Sequence, residues 1–368
     1  MSRVIILGAT GSIGSTALQA IREKHLDIDV VALSCHTQLD KLRNLQSEFH
    51  SKAICLTGKK EQGIYSGFEG LQEMLCSVDA DIVLNGIAGF EGLKASVFTL
   101  QAGKNLALAN KESVVCGSSF LFDLAKRQGC DIIPVDSEHS AIYELLRQND
   151  KSKVQSLIIT ASGGPFSNYS AEQLENVTVE EALHHPTWKM GPKITIDSAT
   201  LANKAMEVIE ASKLFGFSND RIEVVIHPQS IVHSMIRMKD GAVYAQMGKP
   251  NMSLPIINAL YPQARTSLVS PLDFANLQLT FFKPDMKKFP LLGLAYQILG
   301  MKCSAAIAFN ASDEIAVGAF LEKRISFTRI QEIVQDIVSR HDNVNPNSLA
   351  EAIELDRKYR IMSNEYLC

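Results

Sequence analysis

The feature that most constrains the fold is the start of the chain, where a short apolar run leads into three glycines. Gly8, Gly11 and Gly14 stand in the stretch GATGSIG, directly after VIIL, and a helical pattern begins near Ser12. Glycines permit a tight turn and a close approach of the backbone, and free N–H groups at a helix start attract a pyrophosphate. The stretch therefore predicts a strand, a nucleotide-binding turn and a helix, although the spacing GxxGxxG also fits an ordinary glycine-rich turn.

Short apolar runs alternate with helical patterns up to about residue 150. The runs are continuously apolar, which is typical of parallel strands that are buried on both faces. They cover residues 4–8, 30–33, 53–56, 81–85, 105–110 and 131–136. We therefore expect an α/β fold in which residues 1–150 form a Rossmann-like, doubly wound parallel sheet that binds a dinucleotide at the glycine turn.

The rest of the chain has a different character. Residues 151–285 contain closely spaced apolar runs joined by short turns, which predicts a central α+β catalytic domain with a mixed sheet and a flap near 184–192. Residues 286–368 contain no convincing strand but several helical patterns. We expect a linker there, followed by a small C-terminal helical bundle.

The bulk properties restrict the class of partner. A formal net charge of -4 with mixed signs gives no electrostatic reason to expect nucleic acid or a membrane surface, so a small molecule is favoured. No stretch approaches ~18 consecutive apolar residues, and the N-terminus lacks a signal-peptide pattern. The seven cysteines are scattered and never spaced as CxxC, which predicts reduced thiols in the cytoplasm. They are Cys35, Cys55, Cys76, Cys116, Cys130, Cys303 and Cys368.

The end of the second predicted strand bears on the choice between NAD and NADP. An NAD site usually places an acid there to bind the ribose 2′-hydroxyl, but this chain has Ser34, His36 and Thr37. Lys41 and Arg43 follow one turn later. This pattern favours a 2′-phosphate, and hence NADP, with NAD as the alternative.

Two acids stand at the end of the last apolar run of the first region. In an extended segment Asp136 and Glu138 would point the same way, toward the strand end where open α/β sheets bind ligands. A cation site is one interpretation. In the other, Ser137 caps the following helix and Glu138 favours its dipole.

A third acid belongs to a helical pattern in the second region. Asn203, Lys204 and Glu207 can share one helix face, either as a solvated ion-pair face or as part of a site. Hydroxyl residues, including Ser198, precede this helix. Three carboxylates with few soft ligands suit Mg²⁺ or Mn²⁺ rather than zinc.

Hydroxyl and amide donors predict a phosphate pocket. Ser162 lies in ASGGPF after another apolar run, and with Ser198, Asn203 and Lys204 it would supply neutral donors and one cation. The segment HHPTWKMGP carries Trp188, the only tryptophan, between two prolines. Trp188 fits either a core position or a flap that closes over substrate.

Taken together, these motifs resemble the 1-deoxy-D-xylulose 5-phosphate reductoisomerase family along essentially the whole chain. They are GATGSIG, NGIAGFEGL, ALANKES, PVDSEHSAI, ASGGPF, HPTWKMGPKITIDSATLANKAMEVIEA, IHPQSIVHSM, GKPNM and NASDEIAV. The resemblance implies an NADPH- and divalent-metal-dependent oxidoreductase of the non-mevalonate isoprenoid pathway. It would rearrange 1-deoxy-D-xylulose 5-phosphate by retro-aldol cleavage and re-addition, then reduce the product to 2-C-methyl-D-erythritol 4-phosphate. A homodimer is also implied.

The resemblance assigns roles residue by residue. Four residues would be catalytic, of which the three acids would hold the metal: Lys111, Asp136, Glu138 and Glu207. The substrate phosphate would be bound by Ser162, His185, Ser198, Asn203 and Lys204. Other substrate contacts would come from Lys111 and Ser137, with Trp188 and Met190 closing over the substrate. The cofactor would be lined by Thr10, Gly11, Ser12, Ile13, Asn110, Glu112 and Gly191.

The chain departs from the family pattern at a few positions. CHTQ replaces the usual residues after the second strand, so His36 and Thr37 stand as substitutes for the family's 2′-phosphate contacts. Asp313 stands where Asn is commoner, and Asn251 where Asp is commoner. Two other functions share the glycine turn: a metal-independent NAD(P) dehydrogenase of another small aldehyde, and a nonenzymatic NADP-sensing regulator. Neither would need both the three acids and the phosphate donors.

Overall fold

The computed structural model describes residues 2–188, 190–264 and 266–367, without the side chains of Ser118 and Ser119. The chain forms two compact units. The first unit comprises residues 1–113, 119–140 and 251–270, and the second comprises residues 114–118, 141–250 and 271–368. The predicted domain boundaries near residues 150 and 285 follow changes in sequence character and stay a prediction.

The first unit is built around a parallel sheet. Its strand order is β4-β3-β2-β1-β5-β6-β7 within the described residues, and every neighbouring pair is parallel. The strands are β1 Ser2–Leu7, β2 Ile28–Cys35, β3 Ala53–Leu56, β4 Tyr65–Ser66, β5 Ile82–Asn85, β6 Asn105–Leu108 and β7 Ile132–Pro134. The sequence predicted all of them except β4, a two-residue edge strand.

Alternate residues of β1 serve two separate cores, which explains why the whole strand is apolar. Val4 and Ile6 lie in the cluster on one face of the sheet. Ile5 and Leu7 lie in the cluster on the other face. All four side chains are fully buried, as expected for a sheet covered by helices on both faces. The predicted Rossmann-like α/β fold is therefore confirmed.

Helices follow the strands of the first unit in turn. They are α1 Ser12–Glu23, α2 Leu39–Phe49, α3 Gly67–Ser77, α4 Glu91–Gln101, α5 Lys111–Gln128 and α6 Ser137–Gln148. The helices α1 to α4 bury apolar side chains in the two cores of the sheet; in α1, for example, Leu18 and Ile21 belong to the same core as Val4.

The second unit contains a mixed sheet with the order β11-β10-β8-β9. β8 pairs in parallel with β9 and antiparallel with β10, which in turn pairs antiparallel with β11. The strands are β8 Val154–Ala161, β9 Ile222–Ile226, β10 Val232–Met238 and β11 Val243–Met247. This arrangement confirms the mixed sheet expected from closely spaced strands.

The remaining helices complete the two units. Those between β8 and β9 are α7 Ala171–Leu174, α8 Val179–Ala182, α9 Pro192–Thr200 and α10 Ala202–Phe215. α11 Ser253–Leu260 belongs to the first unit, where Ile256 and Leu260 join the core around Val4. The last four are α12 Pro290–Ile298, α13 Cys303–Leu321, α14 Phe327–Ser339 and α15 Leu349–Glu365.

The structure bears on two sequence expectations, one about membrane-spanning segments and one about the cysteines. Among the described helices, none is long and apolar enough to cross a membrane. The six described cysteines are free thiols, and Cys368 lies outside the described residues.

Candidate active site

The glycine turn of the first unit can be built only with glycine at two positions. Gly8 has φ +77°, and a Cβ there would lie 2.8 Å from the carbonyl oxygen of Gly86. A Cβ at Gly14 would lie 2.4 Å from the carbonyl oxygen of Gly8. Gly11 begins α1, and no described side chain caps this helix end. Thr10, Gly11, Ser12 and Ile13 thus surround exposed helix N–H groups that can receive an anion.

The end of β2 carries the substitutes for the expected 2′-phosphate contacts. His36 and Thr37 are exposed. The His36 ring lies on Gly58, where a Cβ would come within 2.6 Å of its Cε1, and Nδ1 is 3.3 Å from Oγ1 of Thr57. Lys41 donates to the carbonyl oxygen of Thr10 at 3.5 Å. Lys41 therefore lies beside the glycine turn, and His36 lies beside Thr57 and Gly58.

Asn110 and Glu112 anchor the loop before α4. Asn110 caps α5 by accepting from the backbone N–H of Ser113 at 2.9 Å, and its amide donates to the carbonyl oxygen of Gly89 at 2.9 Å and to Glu112 at 2.7 Å. Glu112 in turn accepts from the N–H of Gly89 at 3.1 Å. A Cβ at Gly92 would lie 2.5 Å from Oδ1 of Asn110, so the close packing needs glycine. Contact of this pair with a cofactor stays a prediction.

The sequence pattern predicted that the two acids after β7, Asp136 and Glu138, lie in one extended segment. The structure shows that they do not. β7 ends at Pro134 and α6 begins at Ser137, so Glu138 stands in the first helical turn. Ser137 donates its hydroxyl to Glu138 at 2.6 Å. The backbone turns into the helix earlier than expected, because the backbone carbonyl oxygen of Asp136 already accepts the first helical hydrogen bond, from the N–H of Ser140 at 2.8 Å.

Lys111 and Asp136 form an ion pair in the first unit. Nζ of Lys111 is 2.5 Å from Oδ2 of Asp136, and the two side chains are 8% and 16% exposed. His139 is fully buried, with Nδ1 4.0 Å from the same oxygen. This side of the first unit therefore gathers two carboxylates, a hydroxyl and a lysine at the carboxyl end of β7, where parallel sheets bind ligands.

His185 is the centre of the donor group in the second unit. Its Nε2 lies 3.1 Å from the hydroxyl of Ser162 and 3.1 Å from that of Ser198. Its Nδ1 accepts from the backbone N–H groups of Thr187 at 3.1 Å and Trp188 at 2.9 Å. An Nδ1 that accepts two hydrogen bonds carries no proton, so Nε2–H is the donor. Burial lowers the pKa of His185 and favours this neutral form.

The loop after β8 brings Ser162 next to Ser198. Gly163 and Gly164 both have positive φ, +87° and +66°. A Cβ at Gly164 would lie 2.7 Å from the carbonyl oxygen of Ser198. The two glycines of ASGGPF are therefore needed so that the loop backbone can touch the end of α9.

Asn203, Lys204 and Glu207 meet on α10, as their spacing predicted. Asn203 donates to Oε1 of Glu207 at 2.6 Å, and Lys204 donates to Oε2 of Glu207 and to the carbonyl oxygen of Thr160 at 2.6 Å. The side chains of Lys204 and Glu207 are 4% and 1% exposed. This burial rules out the alternative of a solvated ion-pair face, because water reaches almost none of either side chain.

The flap segment leads into α9. Gly191 is the N-cap residue of this helix, and Pro192 is its first residue, a position where the N–H that proline lacks would have no partner within the helix. Trp188 and Met190 are half-buried, and Lys189 lies outside the described residues. The structure assigns Trp188 a backbone contact with His185; closure of its ring over a substrate stays a prediction.

Sequence reasoning missed two lysines near these donors. Lys193 lies between Asp197 and Asp313, 2.7 Å from an oxygen of each. Lys288 donates to backbone carbonyl groups of the loop after Ser162. The motif NASDEIAV contained Asp313, but nothing in the sequence connected Lys193 or Lys288 with partners about a hundred residues away.

Comparisons with known proteins match this chain to one enzyme family along most of its length. The family model of 1-deoxy-D-xylulose 5-phosphate reductoisomerase matches residues 4–118. Models of the C-terminal domains of the same enzyme match residues 132–215 and 247–362. The 1-deoxy-D-xylulose 5-phosphate reductoisomerase of Treponema denticola is 43% identical over 98% of this chain and 96% of its own length. That of Thermoanaerobacter pseudethanolicus is 44% identical over 98% of both chains.

Solved structures show the same relationship. A crystal structure of DOX-P reductoisomerase in complex with NADPH, fosmidomycin and magnesium has a TM-score of 0.92 and 38% identity, covering 100% of this chain and 98% of its own. The 1-deoxy-D-xylulose 5-phosphate reductoisomerase of Zymomonas mobilis in complex with NADPH has a TM-score of 0.91 and 35% identity, covering 100% and 99%.

Proposed function

The chain belongs to the 1-deoxy-D-xylulose 5-phosphate reductoisomerase family, and on that premise we propose how its own residues carry out the reaction. The protein is an NADPH- and divalent-metal-dependent oxidoreductase that converts 1-deoxy-D-xylulose 5-phosphate to 2-C-methyl-D-erythritol 4-phosphate. The enzyme class and the cofactors expected from the sequence are confirmed. The observation that carries the assignment is the match to these relatives over 98% of the chain.

The substrate phosphate is assigned to the donors around His185. The hydroxyls of Ser162 and Ser198 both lie within hydrogen-bond distance of Nε2 of His185, and in the same unit α10 supplies Lys204 and Asn203. Neutral donors with one lysine suit a phosphate dianion. Since the backbone N–H groups of the flap hold His185 in the Nε2–H tautomer, phosphate binding and the position of the flap are linked through one ring.

The divalent cation is assigned to Asp136, Glu138 and Glu207. Three carboxylates with no thiol fit a hard ion such as Mg²⁺ or Mn²⁺. When bound, the cation polarises the ketone and the adjacent hydroxyl of the substrate as a Lewis acid. Ser137 contributes a hydroxyl contact to a substrate oxygen, and the Lys111 ammonium, held at Asp136, stabilises negative charge that develops there.

NADPH is assigned to the glycine turn, with Thr10 to Ile13 around the pyrophosphate and Asn110, Glu112 and Gly191 as further contacts. When bound, NADPH supplies the hydride that reduces the rearranged aldehyde. The exposed N–H groups of α1 fit the pyrophosphate charge. His36 and Thr37 would hold the 2′-phosphate, and Lys41 would add positive charge near the turn. Replacement of His36 by Ala should raise the KM for NADPH and leave that for NADH unchanged.

The protein is assigned to the cytoplasm as a homodimer. Free thiols support the compartment. β11 is an edge strand on which Val243 and Tyr244 are 47% and 48% exposed, a surface that a second copy can cover. Light scattering of the purified protein measures the mass, and a monomer at micromolar concentration would contradict the dimer.

The decisive experiment is an NADPH-oxidation assay with 1-deoxy-D-xylulose 5-phosphate. It is run with Mg²⁺, with Mn²⁺ and with a chelator, then repeated with NADH. We expect oxidation only with a metal, and 2-C-methyl-D-erythritol 4-phosphate as the product. Undiminished oxidation after chelation would favour a metal-independent dehydrogenase, and no oxidation of NADPH would overturn the proposal.

A further inference from the structure

Lys288 makes an unusual set of hydrogen bonds for a lysine outside the predicted site. Its ammonium donates to the carbonyl oxygens of Phe166 at 3.3 Å, Ser167 at 2.7 Å and Tyr169 at 2.9 Å. An ammonium has three N–H donors, so all of them are used on one short loop. The acid nearest in sequence, Asp285, accepts the backbone N–H groups of Lys287 and Lys288 at 3.0 Å each.

The loop that Lys288 holds is the continuation of ASGGPF. It leaves β8 at Ala161, passes Ser162 and the two positive-φ glycines, and is fixed further on by Phe166, whose ring is 4.9 Å from that of Tyr169 and 5.2 Å from that of Phe327. The aromatic contacts hold the side chain of Phe166. Lys288 holds the backbone carbonyl groups, which a loop without regular structure would otherwise leave to water.

Lys288 also connects this loop with the helix that supports α10. It lies directly before Phe289 and Pro290, where α12 begins. α12 packs against α10 within the second unit. α10 carries Asn203 and Lys204, while the loop carries Ser162. One side chain thus joins two segments that supply different donors to the proposed phosphate pocket.

We propose that Lys288 is a positioning residue for the substrate phosphate: it keeps the loop of Ser162 in register with α10 without touching the substrate. The inference rests on the proposed function, because it concerns the same phosphate pocket. A misplacement of about 1 Å can cost a preorganised site up to ~100-fold in rate, so a smaller shift of one donor is expected to have a measurable effect. The effect should fall on phosphate binding and not on NADPH.

The test compares Lys288→Met with Lys288→Arg. Calorimetric titration with inorganic phosphate gives the Kd of the pocket, and steady-state assays give the KM for 1-deoxy-D-xylulose 5-phosphate and for NADPH. In Lys288→Met we expect the phosphate Kd and the substrate KM to rise together, by about tenfold, with an unchanged KM for NADPH. Lys288→Arg, which keeps a cation with several donors, should restore most of the loss.

Lys287→Met is the matched control, because Lys287 is the exposed neighbour in the same turn. It should leave all three constants unchanged. A folded Lys288→Met protein with wild-type phosphate Kd would overturn the inference, as would equal losses in Lys287→Met. If Lys288→Met does not fold, Lys288→Gln is the second variant. Its amide has two N–H donors, no charge and a shorter stem, so it loses at least one of the three carbonyl contacts. A wild-type Kd in that variant would also overturn the inference.

The two proposals fail in different ways. If the unmodified protein binds phosphate but does not oxidise NADPH with 1-deoxy-D-xylulose 5-phosphate, the proposed function is wrong, while the phosphate titration still tests Lys288. If the unmodified protein turns over and the variants keep its phosphate Kd and substrate KM, only the role of Lys288 is wrong.

Discussion

The glycine turn of the first unit and the donor group around His185 in the second are both assigned to phosphate groups, but they are built differently. The turn offers backbone N–H groups, and its shape depends on the absence of Cβ atoms at Gly8 and Gly14. The second site offers side-chain donors, each held by another contact: His185 by two flap N–H groups, Lys204 by Thr160 and Glu207. A backbone site depends on a few neighbouring residues, whereas a side-chain site depends on many distant ones.

The largest effect is expected from replacing Glu207, the carboxylate that pairs with Lys204 in the side-chain site. Glu207→Gln removes a proposed metal ligand and leaves Lys204, which is 4% exposed, without its carboxylate. We expect kcat/KM to fall by at least about 100-fold, with a higher Mg²⁺ concentration needed for half-maximal rate. A Mg²⁺ titration of NADPH oxidation measures both. Wild-type turnover in this variant would remove Glu207 from the metal site.

Gly14→Ala tests the backbone site and should have the next largest effect. A Cβ would lie 2.4 Å from the carbonyl oxygen of Gly8 and 2.6 Å from Cα of Ala9, and backbone atoms cannot move aside cheaply. We expect a loss of about 2 kcal/mol in the free energy of unfolding and a raised KM for NADPH. Denaturant unfolding and NADPH saturation curves measure the two effects.

Gly318→Ala in α13 is the control for that substitution. A Cβ there meets no atom within 4 Å, and the residue is helical. Replacement should be neutral or stabilise the protein by up to about 1 kcal/mol. If Gly14→Ala behaved like this control, the glycine turn would be less dependent on its glycines than the close approaches indicate.

A second pair of substitutions separates the two ring nitrogens of His185. His185→Asn can keep an acceptor near the N–H of Trp188 but loses the donor that reaches Ser162 and Ser198. His185→Gln can keep a donor but loses the acceptor. Both should raise the substrate KM by about tenfold, because one charge-assisted hydrogen bond to phosphate is lost or misplaced. Only His185→Gln should make the flap more sensitive to limited proteolysis.

The same ring gives a pH dependence with a defined sign. Burial lowers the pKa of His185 in the folded chain, so the folded state binds fewer protons than the unfolded state. The contribution to stability is complete above the ordinary histidine value of about 6.5 and decreases as pH falls from there toward the lowered pKa. Thermal unfolding between pH 5 and 8 should show a steeper acid loss in the wild-type protein than in His185→Asn. Identical profiles would contradict this contribution.

The contrast between the two sites also explains how far the sequence could be interpreted. The glycine turn was predictable because its three glycines lie within seven residues, and the strands because each apolar run is continuous, whereas the close approach of Gly8 to Gly86 was visible only in the structure. β4 was missed because its two residues, Tyr65 and Ser66, leave no periodicity. The helix start at Ser137 was predictable only as one of two interpretations, since the same acids fit a cap and a cation site.

For the side-chain site, the sequence indicated the donors but not what holds them. Asn203, Lys204 and Glu207 follow from helical spacing, and the structure places them together. The position of Nε2 of His185 between two hydroxyls, and the tautomer that the flap fixes, depend on tertiary contacts between three separate segments. Lys288 has backbone carbonyl groups as partners, and backbone acceptors carry no residue-specific signal.

The smallest expected effect belongs to Asp313, where the chain departs from the family pattern. Lys193 is 31% exposed and lies between two buried carboxylates, Asp197 on α9 and Asp313 on α13. Asp313→Asn keeps an oxygen for Lys193 and removes one of the two buried negative charges beside it. Since burying a second carboxylate beside the same ammonium costs desolvation free energy, we expect a change between zero and a gain of about 1 kcal/mol in stability.

The Kd for inorganic phosphate measures whether the charge of Asp313 affects the side-chain site. α9 carries Ser198 at its other end, so a shift of α9 would move a donor. We expect the Kd for inorganic phosphate in Asp313→Asn to stay within about twofold of wild type, because Asp197 still holds Lys193. Asp197→Asn, which leaves Asp313 as the partner, is the matched comparison. A tenfold weaker Kd in Asp313→Asn alone would show that the α13 contact positions Ser198, and the side-chain site would then depend on the helical bundle as well as on its own loop.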